Sequence, residues 1–473
     1  MVFSSLVFLF VFLALHLFVY AIVPERAKNP VLLVSSLIFY AWGGPRYVVL
    51  LMGETAASWL FALMIQYAPT QARRRAALVG ECVVLLGLLA FFKYATWVLG
   101  MAQGVFGVPA DIPQIVLPIG ISFYTFQLIS YVCDVYRGKV EAQPAYWKLL
   151  LYSSLFHQCI AGPIVRYQTV ANEIEHRRVT RTDRYAGVRR FCVGLAKKTL
   201  LANACAAAAD ALVPVGSDAL AGQSVAGYWL GMLFYMLQIY LDFSAYSDMA
   251  IGLGRMIGFH YLENFDHPYL ASSVQDFWRR WHISLSSFFR DYVYIPLGGS
   301  RCSIPAYVRN MAVVWFLTGL WHGASWNYIL WGLYFLVFLL LERFVIRDHM
   351  PKVLGHLCAL LVVYFGWVLF RFEDFGELAT VVKGMIGFGG GGLTNLSAQT
   401  VLLQNVFLVL VSIVACTDVG VRLRKWLYGR TRGNNVVLAV FGVIEAATPP
   451  VLLVLSVIAL AGASYNPFIY FQF

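Results

Sequence analysis

Phe277-Trp278-Arg279-Arg280-Trp281-His282 opens a stretch that begins at Asp276, passes through Arg290-Asp291-Tyr292 and Gly298-Gly299-Ser300-Arg301, reaches Leu320-Trp321-His322-Gly323-Ala324 and ends at Asn327. The chain has 473 residues, 60% apolar and 12% charged, and this is where Trp, Arg and His gather. Polar side chains are costly near lipid, so groups kept there carry a task. The rest of the sequence reads as the wall that holds this segment. Mean hydropathy of +0.70 and 16% aromatic residues exceed what a soluble core of this length needs. The fold class implied is an all-α polytopic membrane protein, with about 11–14 membrane helices including short or re-entrant ones.

The net charge of +11 would suit nucleic acid, but Arg and Lys fall in short runs between apolar segments rather than on one basic domain. That is the pattern of cytoplasmic loops facing anionic lipid, so membrane lipids are the expected partner and nucleic acid is not. The eight cysteines (Cys82, Cys133, Cys159, Cys192, Cys205, Cys302, Cys358, Cys416) show no C-x-x-C spacing. They read as core thiols, with no metal site and no disulfide. Met1 to Val23 is apolar with His16 alone in it, and has neither a basic start nor a small-residue cleavage site, so a first spanning helix is expected there rather than a signal peptide. His16 reads as a packed histidine.

A break at Pro24–Asn29 carries Arg26 and Lys28; apolar runs follow at Val31–Trp42 and Tyr47–Ala68, joined by Gly43-Gly44-Pro45 as a hairpin. Arg73-Arg74-Arg75 marks a cytoplasmic loop and, with three helices before it, an external N-terminus. Spans are expected at Ala76–Leu99 and Ile115–Val135, the second polar for a lipid-facing helix. Trp147–Ile164, with His157, Gln158 and Ala161-Gly162-Pro163, has basic loops on both sides. It either spans or dips in and returns, and re-entry is the reading favoured; backbone leaves the helix at membrane depth only where protein or a watery cavity shields it.

Arg166 to Lys198, with Arg177, Arg178, Arg181, Arg184, Arg189, Arg190 and Lys197, reads as a cytoplasmic loop held against headgroups. The sharper alternative is that one or two of these cations meet the phosphates of a donor nucleotide. The helical run Ser224–Gly258 pairs Gln238 with Asp242 and Ser244 with Asp248, each four apart and so on one face. Carboxylates there must look inward or sit at the membrane edge. Structural hydrogen bonding and lining of a reaction cavity both stay open for Asp242 and Asp248.

On a helix from Ser273, Phe277, Trp281, Leu285 and Phe288 fall on one apolar stripe, and His282 shares a face with Trp278, Arg279 and Ser286. Arg279 and Arg280 either grip a phosphorylated carrier or pair with Asp276, Asp291 or headgroups. Pro296-Leu297-Gly298-Gly299 stops the helix, and with no Lys-Ser/Thr after it this is no P-loop. His322 lies between Met311–Leu320 and Trp326–Leu341, both apolar, with Gly323 and Ala324 leaving room for a ligand. Screening from water favours a neutral imidazole, which accepts protons, as activation of a hydroxyl requires. A structural histidine is the competing reading.

Phe277–Tyr294, Gly298–Arg301, Leu320–Ala324, Asp242–Ala250, Leu117–Tyr124, Ala161–Pro163 and the opening Met1–Ser5 resemble the membrane-bound O-acyltransferases, over at least the first 340 residues, and most of all their bacterial alginate O-acetyltransferase branch. The resemblance implies a ring of tilted helices around a central tunnel, acyl transfer, His322 as the catalytic residue and His282 as a second functional histidine. Trp278, Arg279, Arg280, Trp321, Asp242 and Asp248 are candidates for donor binding or tunnel lining. Acetyl-coenzyme A is the implied donor and no tightly bound cofactor is expected. The implied partners are a periplasmic esterase-like (SGNH) acetyltransferase and an exopolysaccharide acceptor, at a bacterial inner membrane. Ser325 departs from the asparagine of many relatives, which touches acceptor preference rather than chemistry.

The chain divides, on this reading, into N-terminal helices over 1–135, a catalytic core with basic loops over 136–345 and C-terminal helices over 346–473, within one transmembrane domain. Further spans are expected at Val353–Phe370, Val401–Cys416 and Asn435–Ala463, with Gly387–Gly392 a flexible connector and the aromatic tail Asn466–Phe473 docking or anchoring at the interface. No G-x-S-x-G elbow occurs. Two other classes remain: D-alanyl transfer to a cell-wall polymer, and a transporter of lipid-linked sugar, which would show paired broken helices in an internal repeat.

Overall fold

In the computed structural model, residues 1–107, 115–160, 162–216, 220–346, 350–430 and 435–462 are described, and every regular element among them is helical. In lipid a backbone must satisfy its own hydrogen bonds, which a helix does within one segment. In order these are α1 (Phe8–Ile22), α2 (Glu25–Ala41), α3 (Pro45–Tyr67), α4 (Gln71–Phe106), α5 (Ile121–Tyr136), α6 (Tyr146–Ser154), α7 (Tyr167–Glu175), α8 (Arg181–Leu212) and α9 (Val225–Met256). They continue with α10 (Val274–Arg280), α11 (Ile283–Phe289), α12 (Ile304–His322), α13 (Trp326–Ile346), α14 (Lys352–Arg371), α15 (Phe375–Met385), α16 (Leu396–Ala415), α17 (Val419–Arg430) and α18 (Asn435–Gly462). Among the described residues seven helices, α3, α4, α8, α13, α14, α16 and α18, are long and apolar enough to cross a membrane, and α1 is a shorter apolar helix. The chain is a multi-pass membrane protein. The aromatic tail and Ala161 lie outside the described residues.

The chain gathers into two compact units. The first comprises Met1–Phe191, Ser247–Glu263 and Ser287–Pro296, and the second Cys192–Tyr246, Asn264–Ser286 and Leu297–Phe473. In the first, polar groups on membrane helices face one another: Ser58 donates to Glu81 at 2.6 Å and Thr125 to Glu54 at 3.1 Å, with both glutamates buried. Helix α6 has nine residues, about 13 Å of rise, which falls well short of a hydrocarbon core of ~30 Å. Leu155–Ile160 follow it in buried, non-helical backbone, with the Phe156 amide donating to Ser36 Oγ at 3.2 Å. No single helix therefore carries 147–164 across.

Several expectations need correction. Arg73, Arg74 and Arg75 are the third to fifth residues of α4, which Thr70 caps, rather than part of a loop. Most of Arg166–Lys198 is helix, in α7 and α8. The polyglycine segment is no loose connector: Gly392 and Leu393 carbonyls accept from the Val225 and Ala226 amides at 3.0 and 2.9 Å, supplying partners for the free N–H groups at the start of α9. A Cβ on Gly391 would fall 2.3 Å from the Gln223 and Gly222 carbonyl oxygens.

The core of the second unit is aromatic. Trp331 and Trp367 are fully buried, and Trp278 packs edge-on to Trp315 at 4.8 Å and Phe335 at 4.9 Å. Helices α12 and α13 form a hairpin whose backbones touch: a Cβ on Gly332 would lie 2.3 Å from the Trp315 oxygen, and one on Gly319 2.4 Å from the Tyr328 oxygen. Small residues permit that approach, and it fixes where the end of α12 sits.

Candidate active site

Helix α12 ends on His322, where Gly323 turns the backbone extended. The ring folds back along its own helix, so that Nδ1 lies 2.7 Å from the Thr318 carbonyl oxygen. A carbonyl only accepts, so Nδ1 carries the hydrogen, and a neutral ring then holds its lone pair at Nε2. Trp321 at 4.9 Å, Trp331 at 4.7 Å and Phe370 at 5.5 Å wall the imidazole edge to face, leaving it 6% exposed. The room expected beside Gly323 is taken: a Cβ there would lie 2.3 Å from the ring of Tyr328.

His282 is placed by different means from those its spacing suggests. Ser273 caps α10 through its side chain, but the helix stops at Arg280, and His282 takes the left-handed conformation with φ of +44°. No continuous stripe runs from Phe277 to Phe288, and His282 shares no helical face with Trp278 or Arg279. The break is held from outside: the Asp266 amide donates to the Arg280 carbonyl and the Ile283 amide to that of Asn264, both at 2.9 Å. Asn264 Oδ1 accepts from the Ser284 amide at 3.2 Å and from its hydroxyl at 2.8 Å, which identifies it as the oxygen. His282 Nδ1, 3.2 Å away, therefore donates to it, and the neutral ring has its lone pair at Nε2. The ring is buried, with Phe243 at 4.7 Å and Trp321 at 5.8 Å, so Trp321 neighbours both imidazoles.

The other candidates divide. Trp278 belongs to the aromatic core and Trp321 to the histidine walls. Arg280 Nε bonds Asp276 at 2.9 Å, and Arg279 donates to Gln275 at 3.3 Å. Asp242 forms an ion pair with Lys198 at 2.8 Å, both side chains 1% exposed. Asp248 falls in the first unit, where Arg190 bridges it, at 2.9 Å, to Glu263. Arg280, Asp242 and Asp248 thus hold protein partners. Thr318 and Asn264 went unread: a backbone acceptor leaves no mark in sequence, and Asn264 stands 18 positions from its histidine.

A cavity of about 670 Å³ lies in the same unit as the histidines. Gln238, Tyr328, Arg371, Glu373, Asp374 and Glu377 line it. Tyr328, whose ring packs on Gly323, donates to Glu373 at 3.0 Å, and Arg371 bonds Asp210 at 2.7 Å. Gln238 is 7% exposed, and its Oε1 has no hydrogen-bond partner among the described residues. Four carboxylates, those of Asp210, Glu373, Asp374 and Glu377, thus line the cavity together with one guanidinium.

The family model described as MBOAT, membrane-bound O-acyltransferase family, matches residues 139–369, which hold Asn264, His282, Thr318 and His322 and stop short of Phe370 and the pocket residues from Arg371 onward. A probable alginate O-acetylase of Azotobacter vinelandii is 39% identical over the whole of both chains. One from Pseudomonas aeruginosa is 41% identical over 88% of this chain and 80% of its own. A peptidoglycan O-acetyltransferase of Helicobacter pylori is 33% identical over 84% of this chain and 82% of its own.

Proposed function

The chain belongs to the membrane-bound O-acyltransferase family, and from that premise we propose that it moves acetyl groups from cytoplasmic acetyl-coenzyme A across a bacterial inner membrane for O-acetylation of an exopolysaccharide such as alginate. It is a membrane acyltransferase, so the task is to make a hydroxyl attack a thioester. The observation that carries the reading is the His322 ring: Thr318 holds the hydrogen on Nδ1, and Nε2 is the basic nitrogen inside an aromatic wall. In the proposed step Nε2 takes the proton of the acceptor hydroxyl as its oxygen bonds the acetyl carbon. The carbon–sulfur bond breaks, the thiolate leaves and recovers the proton, and acetyl ester plus free thiol result. His282, oriented by Asn264 and sharing Trp321 as a neighbour with His322, assists.

The pocket beside Tyr328 supports a relay through a periplasmic partner of the esterase-like kind. Its four carboxylates against one guanidinium repel a polyuronate and tolerate a neutral hydroxyl such as that of a serine or an uncharged sugar. The measurement is radiolabelled acetyl transfer in membrane vesicles, native against His322→Ala at matched expression. A loss of roughly 10²–10⁴-fold, the usual scale of a general base, is expected. Equal labelling would remove His322 from the chemistry, and labelling that needs a carrier-protein thioester in place of acetyl-coenzyme A would move the chain to D-alanyl-type transfer.

A further inference from the structure

A second cavity, of about 910 Å³, opens in the first unit where the start of α2 meets the segment between α7 and α8. Its lining is rich in cations, and the carboxylates near them are spoken for. Glu25 pairs with Lys28 and Glu175 with Lys148, each at 2.5 Å. Arg177 is committed as well: it donates to Asn29 Oδ1 at 2.6 Å, to the Tyr20 hydroxyl at 3.2 Å and to the Glu173 carbonyl at 3.0 Å, tying α1 and α2 to α7. Arg26, Arg178 and Arg184 remain. All three line the cavity and are exposed, and none of their guanidinium groups has a hydrogen-bond or ion-pair partner among the described residues.

Three unpaired guanidinium groups around a concavity form a receptor for a polyanion, and the planar two-donor edge of arginine matches phosphate oxygens. The volume exceeds a lone phosphate and lies in the range of cofactor and ligand sites. Placement agrees. On α1, Leu15, Phe18 and Ile22 are spaced by three and four and stand 61%, 64% and 66% exposed, an apolar stripe that ends four residues before Arg26. The cavity thus sits at the polar end of a lipid-facing helix. We propose that it binds a phosphate ester, supplied either by the headgroup of an anionic phospholipid or by the phosphates of coenzyme A. The coenzyme A source rests on the acyl-transfer reading, whereas the headgroup source does not.

The test uses the full-length protein in phosphatidylcholine nanodiscs, native against the triple variant R26A/R178A/R184A; Arg177 is left in place because it holds the helices together. One arm titrates phosphatidylglycerol into the discs and counts retained lipid by native mass spectrometry. The other measures coenzyme A and its 3′-dephospho form by calorimetry. At about fivefold per arginine near a membrane, the triple variant should lose roughly a hundredfold in affinity at low salt for one of the two probes. Loss confined to phosphatidylglycerol identifies the headgroup as the source, and loss confined to coenzyme A identifies the donor. Should the triple variant not fold, R178Q and R184Q singly, each expected to lose about fivefold, carry the comparison. Native-like affinity of the variants for both probes, or no binding of either probe to the native protein, overturns the proposal.

Discussion

At residue scale, the position of His282 is purchased by strain. A non-glycine residue with positive φ costs about 1–2 kcal/mol, and such outliers persist only where surroundings over-determine them. Here Asn264 does so, with one oxygen serving the imidazole, the Ser284 amide and the Ser284 hydroxyl at once. We expect Asn264→Ala to lower the turnover of acetyl transfer by about tenfold, the scale of one positioning hydrogen bond, with the KM for donor unchanged. Asn264→Asp, which keeps an acceptor oxygen, should recover most of it. A purely structural Asn264 would instead show equal losses in both variants, tracked by their thermal midpoints. None of this was legible. Trp281-His282-Ile283 contains neither glycine nor proline, and the break exists because residues 264–266 pair with it through backbone bonds. The burial of His322 was legible, because it stands between two long apolar runs.

At the scale of elements, what could be read was whatever length and apolarity decide alone. The expected starts at Trp326 and Asn435 coincide with those of α13 and α18, although α13 runs on past Leu341 to Ile346 and Ala463 lies outside the described residues, whereas α15 and α17, short and partly polar, were not seen at all. The basic run up to Lys198 looked like a loop because its charges seemed to need water. Arg and Lys are nonetheless good helix formers, and Lys198 is buried by an anion on another helix. That Lys198–Asp242 pair joins α8 to α9 inside the second unit. Removing one partner of a buried pair strands the other, at a cost of about 3–5 kcal/mol, while an apolar pair of similar size is often neutral. Lys198→Met alone should therefore lower the unfolding midpoint in detergent strongly, and Lys198→Met with Asp242→Leu should restore most of it. A double variant as unstable as the sum of the singles would mean the pair does not act as a unit.

For the whole molecule, membrane class and family could be read from composition and a few long strings, but the distribution of charge over its cavities could not. Asp210 and Glu373 are far apart in sequence and meet only at the pocket with Tyr328. If that pocket screens acceptors by charge, Asp374→Asn with Glu377→Gln, which keeps the helix cap Asp374 gives to the Glu377 amide, should lower the KM for an anionic oligosaccharide acceptor severalfold at low salt. The KM for a neutral hydroxyl acceptor should stay put, and the two proteins should converge near 1 M salt, where the Debye length is about 3 Å. Identical KM values at every ionic strength would discard the electrostatic screen. The glycine run docked on the start of α9 has a practical corollary. An engineer looking for somewhere to splice an epitope or a fluorescent domain would choose that string of small residues first, and would thereby unfasten the helix that carries Gln238 and Asp242.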